Sequence, residues 1–400
     1  MAQDRNSPGN KPWRVAILTT SRADFSIYQP VLRALNAHPD INPVLIITGM
    51  HMSKDFGYTF TEVEKSGWPI AASFECLSEG DTAKDIGISM GQAAKGMAGA
   101  LDDIEADMLI VLGDRFEMAA AALAAVPRGL PICHLHGGEE TEGAMDNVLR
   151  HMLTKLSHLH CCATELAASR IRQMGEAPER VIVSGAPALD NIAAVPRMSR
   201  AELGDKFNLP ETGDFALITY HPVTLDLAAT QVEIEALFTV IKETGIHCVF
   251  TAANADTAGR ALNAKIEAFV AETDGQMLIG HMGAKGYYSA MEHAAMMIGN
   301  SSSGILEAAS FGLPVVNIGD RQKGREVSPN LIQSAGTVSA LKAAIAQAQS
   351  PAFKAQCADK ENVYGDGQAA EKIVEAVAAF LKEGAGPRKA FHQIALGAKA

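Results

Sequence analysis

The chain has 400 residues, 48% hydrophobic and 20% charged, with 46 acidic against 34 basic side chains and a formal net charge of −12. These proportions belong to a globular chain with a sizeable core rather than a disordered one, and the length suits about two or three domains of ~100–200 residues. A sequence pI near 5.5 and the lack of any long Lys/Arg block exclude a protein built mainly to grip duplex DNA or an anionic membrane, although a local pocket can still take a small anion.

Residues 1–13 are polar, with Pro8 and Pro12, and lack the apolar core of a secretory signal. No run approaches the ~18 consecutive apolar residues of a membrane span. The expectation is a cytoplasmic protein with no membrane or nucleic-acid partner. Cys76, Cys133, Cys161, Cys162, Cys248 and Cys357 form no C-x-x-C pair, so they read as reduced, buried thiols rather than a disulfide framework or a zinc site.

Short apolar runs followed by helical spacing occur at Arg14–Thr19, Pro43–Thr48, Asp107–Leu112, Pro131–His136, His158–Cys162 and Arg180–Ser184. A second series follows at Asp214–Tyr220, His247–Ala252, Gln276–Ile279, Ala294–Gly299 and Leu313–Ile318. Unalternated apolar runs between helices predict parallel strands buried on both faces, hence doubly wound α/β layers. The stretch Pro187–Pro210, with Pro196 and polar Arg197–Arg200, marks the domain boundary. The predicted domains are 1–195 and 196–367, with an amphipathic helix over 368–383 joined to the first and residues 384–400 a mobile tail. Ligands of such sheets bind beyond the carboxyl ends of strands, and two facing domains leave a cleft, so informative polar residues should follow the apolar runs.

They do. Thr19-Thr20-Ser21-Arg22-Ala23-Asp24 opens a helix whose amides suit a phosphate or carboxylate; alternatively Ser21 is only an N-cap and Arg22 and Asp24 a solvated pair. Gly113-Asp114-Arg115-Phe116-Glu117 gathers three charges where a core strand has finished, unless Asp114 merely caps the next helix. His134-Leu135-His136-Gly137-Gly138-Glu139-Glu140 follows the next strand, with Asp146 and Arg150-His151 after it. Alternation puts His134 and His136 on one face, and the glycines allow close backbone approach to a ligand. H-x-H alone is a weak zinc signal, and carboxylates with imidazoles suit acid–base chemistry better.

In the second half His221 follows a strand in Thr219-Tyr220-His221-Pro222-Val223-Thr224. Gly299-Asn300-Ser301-Ser302-Ser303-Gly304 leads into a helix Ile305–Phe311 with Glu307 on its first turns, a nest of N–H and hydroxyl donors shaped for a diphosphate. Glu307 suits a ribose hydroxyl pair. Asp320-Arg321-Gln322-Lys323-Gly324-Arg325 adds three cations. There is no G-x-G-x-x-G after the first strand, which argues against a dinucleotide as the main ligand.

Taken in order, these motifs, together with Thr48-Gly49-Met50-His51, Thr154-Lys155 and Asn317-Ile318-Gly319, resemble the hydrolysing UDP-N-acetylglucosamine 2-epimerase family of the sialic and legionaminic acid branch. The resemblance runs from about Arg14 to Phe380. It implies a GT-B-type fold of two Rossmann-like domains and a homodimer or homotetramer. It also implies a nucleotide-sugar ligand held by Arg22, Ser26, Arg115, Asn254, Ser301, Ser302, Glu307 and Arg321, with Asp114, His136, Glu139, Asp146 and His221 as functional groups. Some relatives carry Glu where His136 stands, and Asn147 replaces an Asp that commonly follows Asp146.

The implied reaction is anti elimination of UDP from UDP-N-acetylglucosamine to a 2-acetamidoglycal, then hydration to free N-acetylmannosamine. No cofactor or metal is required, since no Asp-x-Asp pair occurs and arginines can neutralise the departing phosphate. The same reaction on UDP- or GDP-N,N'-diacetylbacillosamine, giving 2,4-diacetamido-2,4,6-trideoxymannose, is an alternative. A GT-B glycosyltransferase or a non-catalytic sugar-nucleotide sensor would share the fold.

Overall fold

The computed structural model describes residues 11–80, 82–140, 145–223, 227–252, 257–384 and 388–393. They form two compact units, one comprising the chain to Asn191 with its return from Tyr364, the other Ile192–Val363. Among the described residues no helix is long and apolar enough to cross a membrane.

The first unit is built on seven parallel strands, β1 (Trp13–Thr19), β2 (Ile41–Ile47), β3 (Ile70–Ser73), β4 (Met108–Leu112), β5 (Ile132–Leu135), β6 (Leu159–Cys162) and β7 (Val181–Val183). They lie in the order β3-β2-β1-β4-β5-β6-β7. Every residue of β4 is buried, as an unalternated Met-Leu-Ile-Val-Leu run demands when helices cover both faces of a sheet. The helix Ala369–Lys382 buries Ile373, Val374, Val377 and Phe380 in this core, and the Asp190 carboxylate caps its first turn by accepting from the amides of Ala369 (3.1 Å) and Ala370 (2.8 Å).

The second unit carries β8 (Ala216–Thr219), β9 (Cys248–Thr251), β10 (Gln276–Ile279), β11 (Met296–Gly299), β12 (Val315–Ile318) and β13 (Leu331–Ser334), ordered β10-β9-β8-β11-β12-β13 and again all parallel. Phe238 stacks on Phe269 at 4.0 Å between ring centroids, with Phe250 against both rings. In each sheet the order reverses at the middle, between β1 and β4 and between β8 and β11, and these switch points open crevices at the strands' carboxyl ends.

Two strands are absent from the sequence expectation, β3 and β13. Both lie at sheet edges, where one side of the ladder faces away from the core. Ile70–Ser73 alternates half-buried with exposed residues, and β13 ends in Gln333 and Ser334. Neither presents the continuous apolar run used to find the others. The expected mobile tail is corrected over 388–393, where Lys389 Nζ donates to the carbonyls of Thr154 (3.0 Å), Lys155 (2.9 Å) and Ser157 (2.6 Å); residues 385–387 and 394–400 lie outside the described residues.

The expected common face for His134 and His136 is also corrected. β5 ends at Leu135, and His136 turns into the left-handed region at φ 59°, a conformation uncommon for a residue with a Cβ. His134 is wholly buried. Its Nε2 lies 2.7 Å from the Gly113 carbonyl, so that nitrogen carries the proton and donates. Gly138 (φ 78°) has no room for a side chain because a Cβ would sit 2.2 Å from the Ala167 carbonyl. Its glycine thus allows close packing against the helix Glu165–Gln173.

Burial pushes the His134 imidazole from 6.5 down to about 3. Between those values the unfolded chain binds a proton that the native ring refuses, so stability declines as pH falls through this window, by up to about 1.4 kcal/mol per pH unit. The two tryptophans, Trp13 and Trp68, both lie in the first unit, and their fluorescence reports on it alone. Denaturant titrations between pH 4 and 6.5 should give a shallower dependence for His134→Asn than for the unsubstituted protein; equal slopes would mean that His134 protonates within the fold.

Candidate active site

At the end of β1 a buried carboxylate of the chain itself gathers the nearest amides and hydroxyls. The buried Asp24 carboxylate accepts from the amides of Thr20 and Ser21, each at 2.8 Å, and from the hydroxyls of Thr19 (3.0 Å), Thr20 (2.8 Å) and Ser21 (3.1 Å). Ser21 and Asp24 form a capping box for the helix Arg22–Ala37. The N-cap reading of Ser21 therefore holds, and Asp24 is buried rather than solvated. Arg22 is exposed and forked onto Glu62, with Nε at 3.0 Å and Nη2 at 2.7 Å. Ser26, also exposed, lies one turn later on the same helix face. The amides of Thr20 and Ser21, just before the helix, are thus satisfied from within the turn.

After β4, Arg115 donates to Glu117 at 3.2 and 2.8 Å. Glu117 is fully buried, so it fixes the guanidinium and leaves the outer edge of Arg115 partly exposed. Asp114 does not cap the following helix, whose N-cap position is Arg115 with no side-chain cap. Instead its Oδ2 accepts from Arg150 Nη2.

Arg150 lies on the helix Met145–Leu156 and is 5% exposed. Its Nη1 also donates to the Glu139 carbonyl (2.6 Å) and to Asn147 Oδ1 (3.2 Å). One guanidinium thus joins the turn after β4 to the turn after β5. Asn147 donates to Glu140 Oε2 at 2.9 Å, so the amide found there in place of a carboxylate supports the helix start without adding charge.

Within the turn after β5, His136 Nδ1 lies 2.6 Å from Glu139 Oε1, which orients the imidazole and assigns the proton to Nδ1 when Glu139 is ionised. Its Nε2 is enclosed and has no hydrogen-bond partner among the described residues. A carboxylate-oriented imidazole with an unengaged far nitrogen is the arrangement of a general acid–base. Nearby, His151 Nε2 lies 2.9 Å from Glu140 Oε1. Partial desolvation, and then the Asp114 carboxylate, push the Asp146 carboxyl above its usual range.

The second unit organises its strand ends around Asn300. This fully buried residue accepts from the His221 amide at 2.7 Å and donates to the His221 carbonyl at 2.8 Å. Its own carbonyl accepts from Arg321 Nη1 and Gln322 Nε2, both at 2.9 Å. Gly299 (φ 145°) allows this approach, since a Cβ there would sit 2.0 Å from the Thr219 carbonyl.

Ser301 caps Ser302–Leu306, a helix of five residues, and a 3-10 turn follows over Ala308–Phe311. The expected helix through Phe311 is therefore broken at Glu307, and its dipole is correspondingly short. Burial raises the Glu307 carboxyl, and Tyr288 donates to its Oε1 at 3.0 Å. Asn254 lies outside the described residues. Among those residues no group of three or more His, Cys, Asp or Glu side chains could hold a metal ion.

Arg150, Asn300 and Tyr288 were missed as site residues. Arg150 and Asn300 stood inside the motifs, but nothing local distinguishes a buried side chain that organises two turns from an exposed one. Tyr288 stands in the helix Gly283–His293 with no motif to mark it.

A family model described as UDP-N-acetylglucosamine 2-epimerase matches residues 33–378. The chain is 31% identical over 363 residues to the UDP-N,N'-diacetylbacillosamine 2-epimerase (hydrolyzing) of Legionella pneumophila, covering 90% of this chain and 94% of that protein. It is 34% identical over 345 residues to the GDP/UDP-N,N'-diacetylbacillosamine 2-epimerase (hydrolyzing) of Campylobacter jejuni, covering 85% of this chain and 88% of that one. Among solved structures, UDP-GlcNAc 2-epimerase from Neisseria meningitidis bound to UDP-GlcNAc matches with a TM-score of 0.78 at 18% identity, over 92% of this chain and 100% of that chain. The two parallel-sheet α/β units are thus those of a GT-B-like fold, and the chain belongs to the UDP-N-acetylglucosamine 2-epimerase family.

Proposed function

We propose that this protein is a hydrolysing 2-epimerase that converts UDP-N-acetylglucosamine and water to N-acetylmannosamine and UDP. The observation that carries the acid–base part of this reading is the His136–Glu139 pair, 2.6 Å apart. The C2 proton of an acetamido sugar is not acidified by a ring carbonyl, so its removal must be coupled to departure of the nucleotide from C1. One group takes the C2 proton as the C1–O bond breaks, leaving a 2-acetamidoglycal and UDP. A second group then gives a proton to the opposite face of C2 as water adds its oxygen to C1, and the proton that the water releases restores that group.

Inversion needs two proton-handling groups. We assign them to His136, oriented by Glu139, and to Asp146, whose carboxyl is raised by desolvation and by Asp114. Asp114 and Arg150 hold the charge balance of this turn. Arg22, Ser26 and Arg115 of the first unit, with His221, Ser301, Ser302, Glu307 and Arg321 of the second, are assigned to the nucleotide. Arginines there stabilise the charge that grows on the departing diphosphate, an electrostatic contribution that is usually the largest in such reactions.

The Legionella and Campylobacter relatives carry diacetylbacillosamine in their names, and this favours a second reading in which the same chemistry acts on a nucleotide-linked 2,4-diacetamido sugar. Incubation with each nucleotide sugar in deuterated water, followed by NMR, separates the two. Free N-acetylmannosamine deuterated at C2, with UDP, is the expected outcome; turnover of only the diacetamido substrate would move the assignment to that sugar. Release of a C2-epimerised sugar still attached to UDP would exclude hydrolysis, and transfer of sugar to an added acceptor would replace the epimerase by a glycosyltransferase.

His136→Asn should lower kcat by about 10²–10⁴-fold with KM nearly unchanged, and Glu139→Gln should cost less because the imidazole remains. Asn300→Ala should chiefly raise KM, since Asn300 positions His221 and Arg321 rather than the reacting carbon. A His136→Asn enzyme of normal kcat would remove His136 from the chemistry.

A further inference from the structure

We infer that the C-terminal segment Lys389–His392 is a strap that fixes the helix Met145–Leu156, and that Lys389 is a positioning residue for the groups this helix carries. Its effect on turnover rests on the function proposed above; the fastening itself does not.

The last carbonyls of a helix have no partners within it. Here the carbonyls of Thr154, Lys155 and Ser157 all accept from the Lys389 ammonium, a cation placed where the helix dipole is negative. The same ammonium pairs at 2.6 Å with Glu176, whose side chain is 3% exposed and which also meets Lys155 at 2.6 Å and His160 at 3.2 Å. A carboxylate so buried requires cations around it.

Two further anchors follow. The Phe391 ring lies 5.1 Å from the Lys155 ammonium and against Gly175, where a Cβ would come within 2.4 Å of it. The His392 amide donates to the Gly175 carbonyl at 2.8 Å.

The path from strap to site is one helical turn. The Thr154 carbonyl is held by Lys389, and its hydroxyl donates to the Arg150 carbonyl at 3.2 Å. Arg150 in turn holds Asp114 and the Glu139 carbonyl. Releasing the end of this helix would let the guanidinium shift relative to both turns. The strap lies beyond the amphipathic helix that completes the first unit, and no step of the proposed reaction uses its residues directly.

Full-length Lys389→Met and the milder Phe391→Ala test this through hydrogen exchange of residues 145–156 and steady-state kinetics on whichever nucleotide sugar the unsubstituted enzyme turns over. Lys389→Met should speed exchange in that helix by at least about tenfold, leave β8–β13 unchanged, and lower kcat by about tenfold with KM within about twofold. Phe391→Ala should show the same pattern more weakly. Unchanged exchange in the helix would overturn the strap. Faster exchange with an unchanged kcat, or activity lost only in proportion to global unfolding, would overturn the positioning role. If the unsubstituted enzyme turns over no nucleotide sugar, the catalytic reading fails while the exchange result still decides whether the strap fastens the helix.

Discussion

A guanidinium that is 5% exposed has lost most of its water, and Arg150 finds replacement acceptors on two separate turns. Asp114 and the Glu139 carbonyl offset much of its cost of burial while both stay within reach. That requirement couples the ends of β4 and β5, which parallel pairing already sets side by side. The sheet brings the turns near each other; the arginine sets their separation. His136, held by Glu139 in a left-handed backbone, inherits its position from the same arrangement.

The second unit solves the same problem with a neutral side chain. Asn300, after β11, grips both backbone polar groups of His221, after the adjacent β8. His134 does likewise in the first unit, reaching from β5 to the carbonyl that ends β4. In each case a buried side chain on one strand end satisfies backbone groups on its neighbour. These bonds replace the water that the groups would otherwise need, and so the turns are ordered by the core beneath them.

Much of this was legible in the sequence, for reasons visible in particular residues. Runs such as Met108–Leu112 and Ala216–Thr219 are buried on both faces, so apolarity alone marks them, whereas β3 and β13 lie half outside the core and carry no such mark. Polar clusters after strands were conspicuous because a turn does not need that many charges. What each residue does within a cluster was not readable. That Asp24 turns inward to bind its own turn, and that Gly138 packs closely on a helix, depends on backbone angles and on neighbours brought in by the fold. Lys389 was the least legible, since its partners lie more than 200 residues earlier and nothing local distinguishes it from a solvated tail lysine.

The side-chain clamps at the strand ends have one more consequence. Because His134, Arg150 and Asn300 hold the turns from beneath, the outer parts of the loops that follow carry little of the burden of placing the polar groups at the strand ends. Those outer residues are free to vary in size and polarity. A lineage built on this framework can therefore change the chemistry of its outer loops without disturbing the packing that places the strand ends, and selection on those loops need not compete with selection for a folded core.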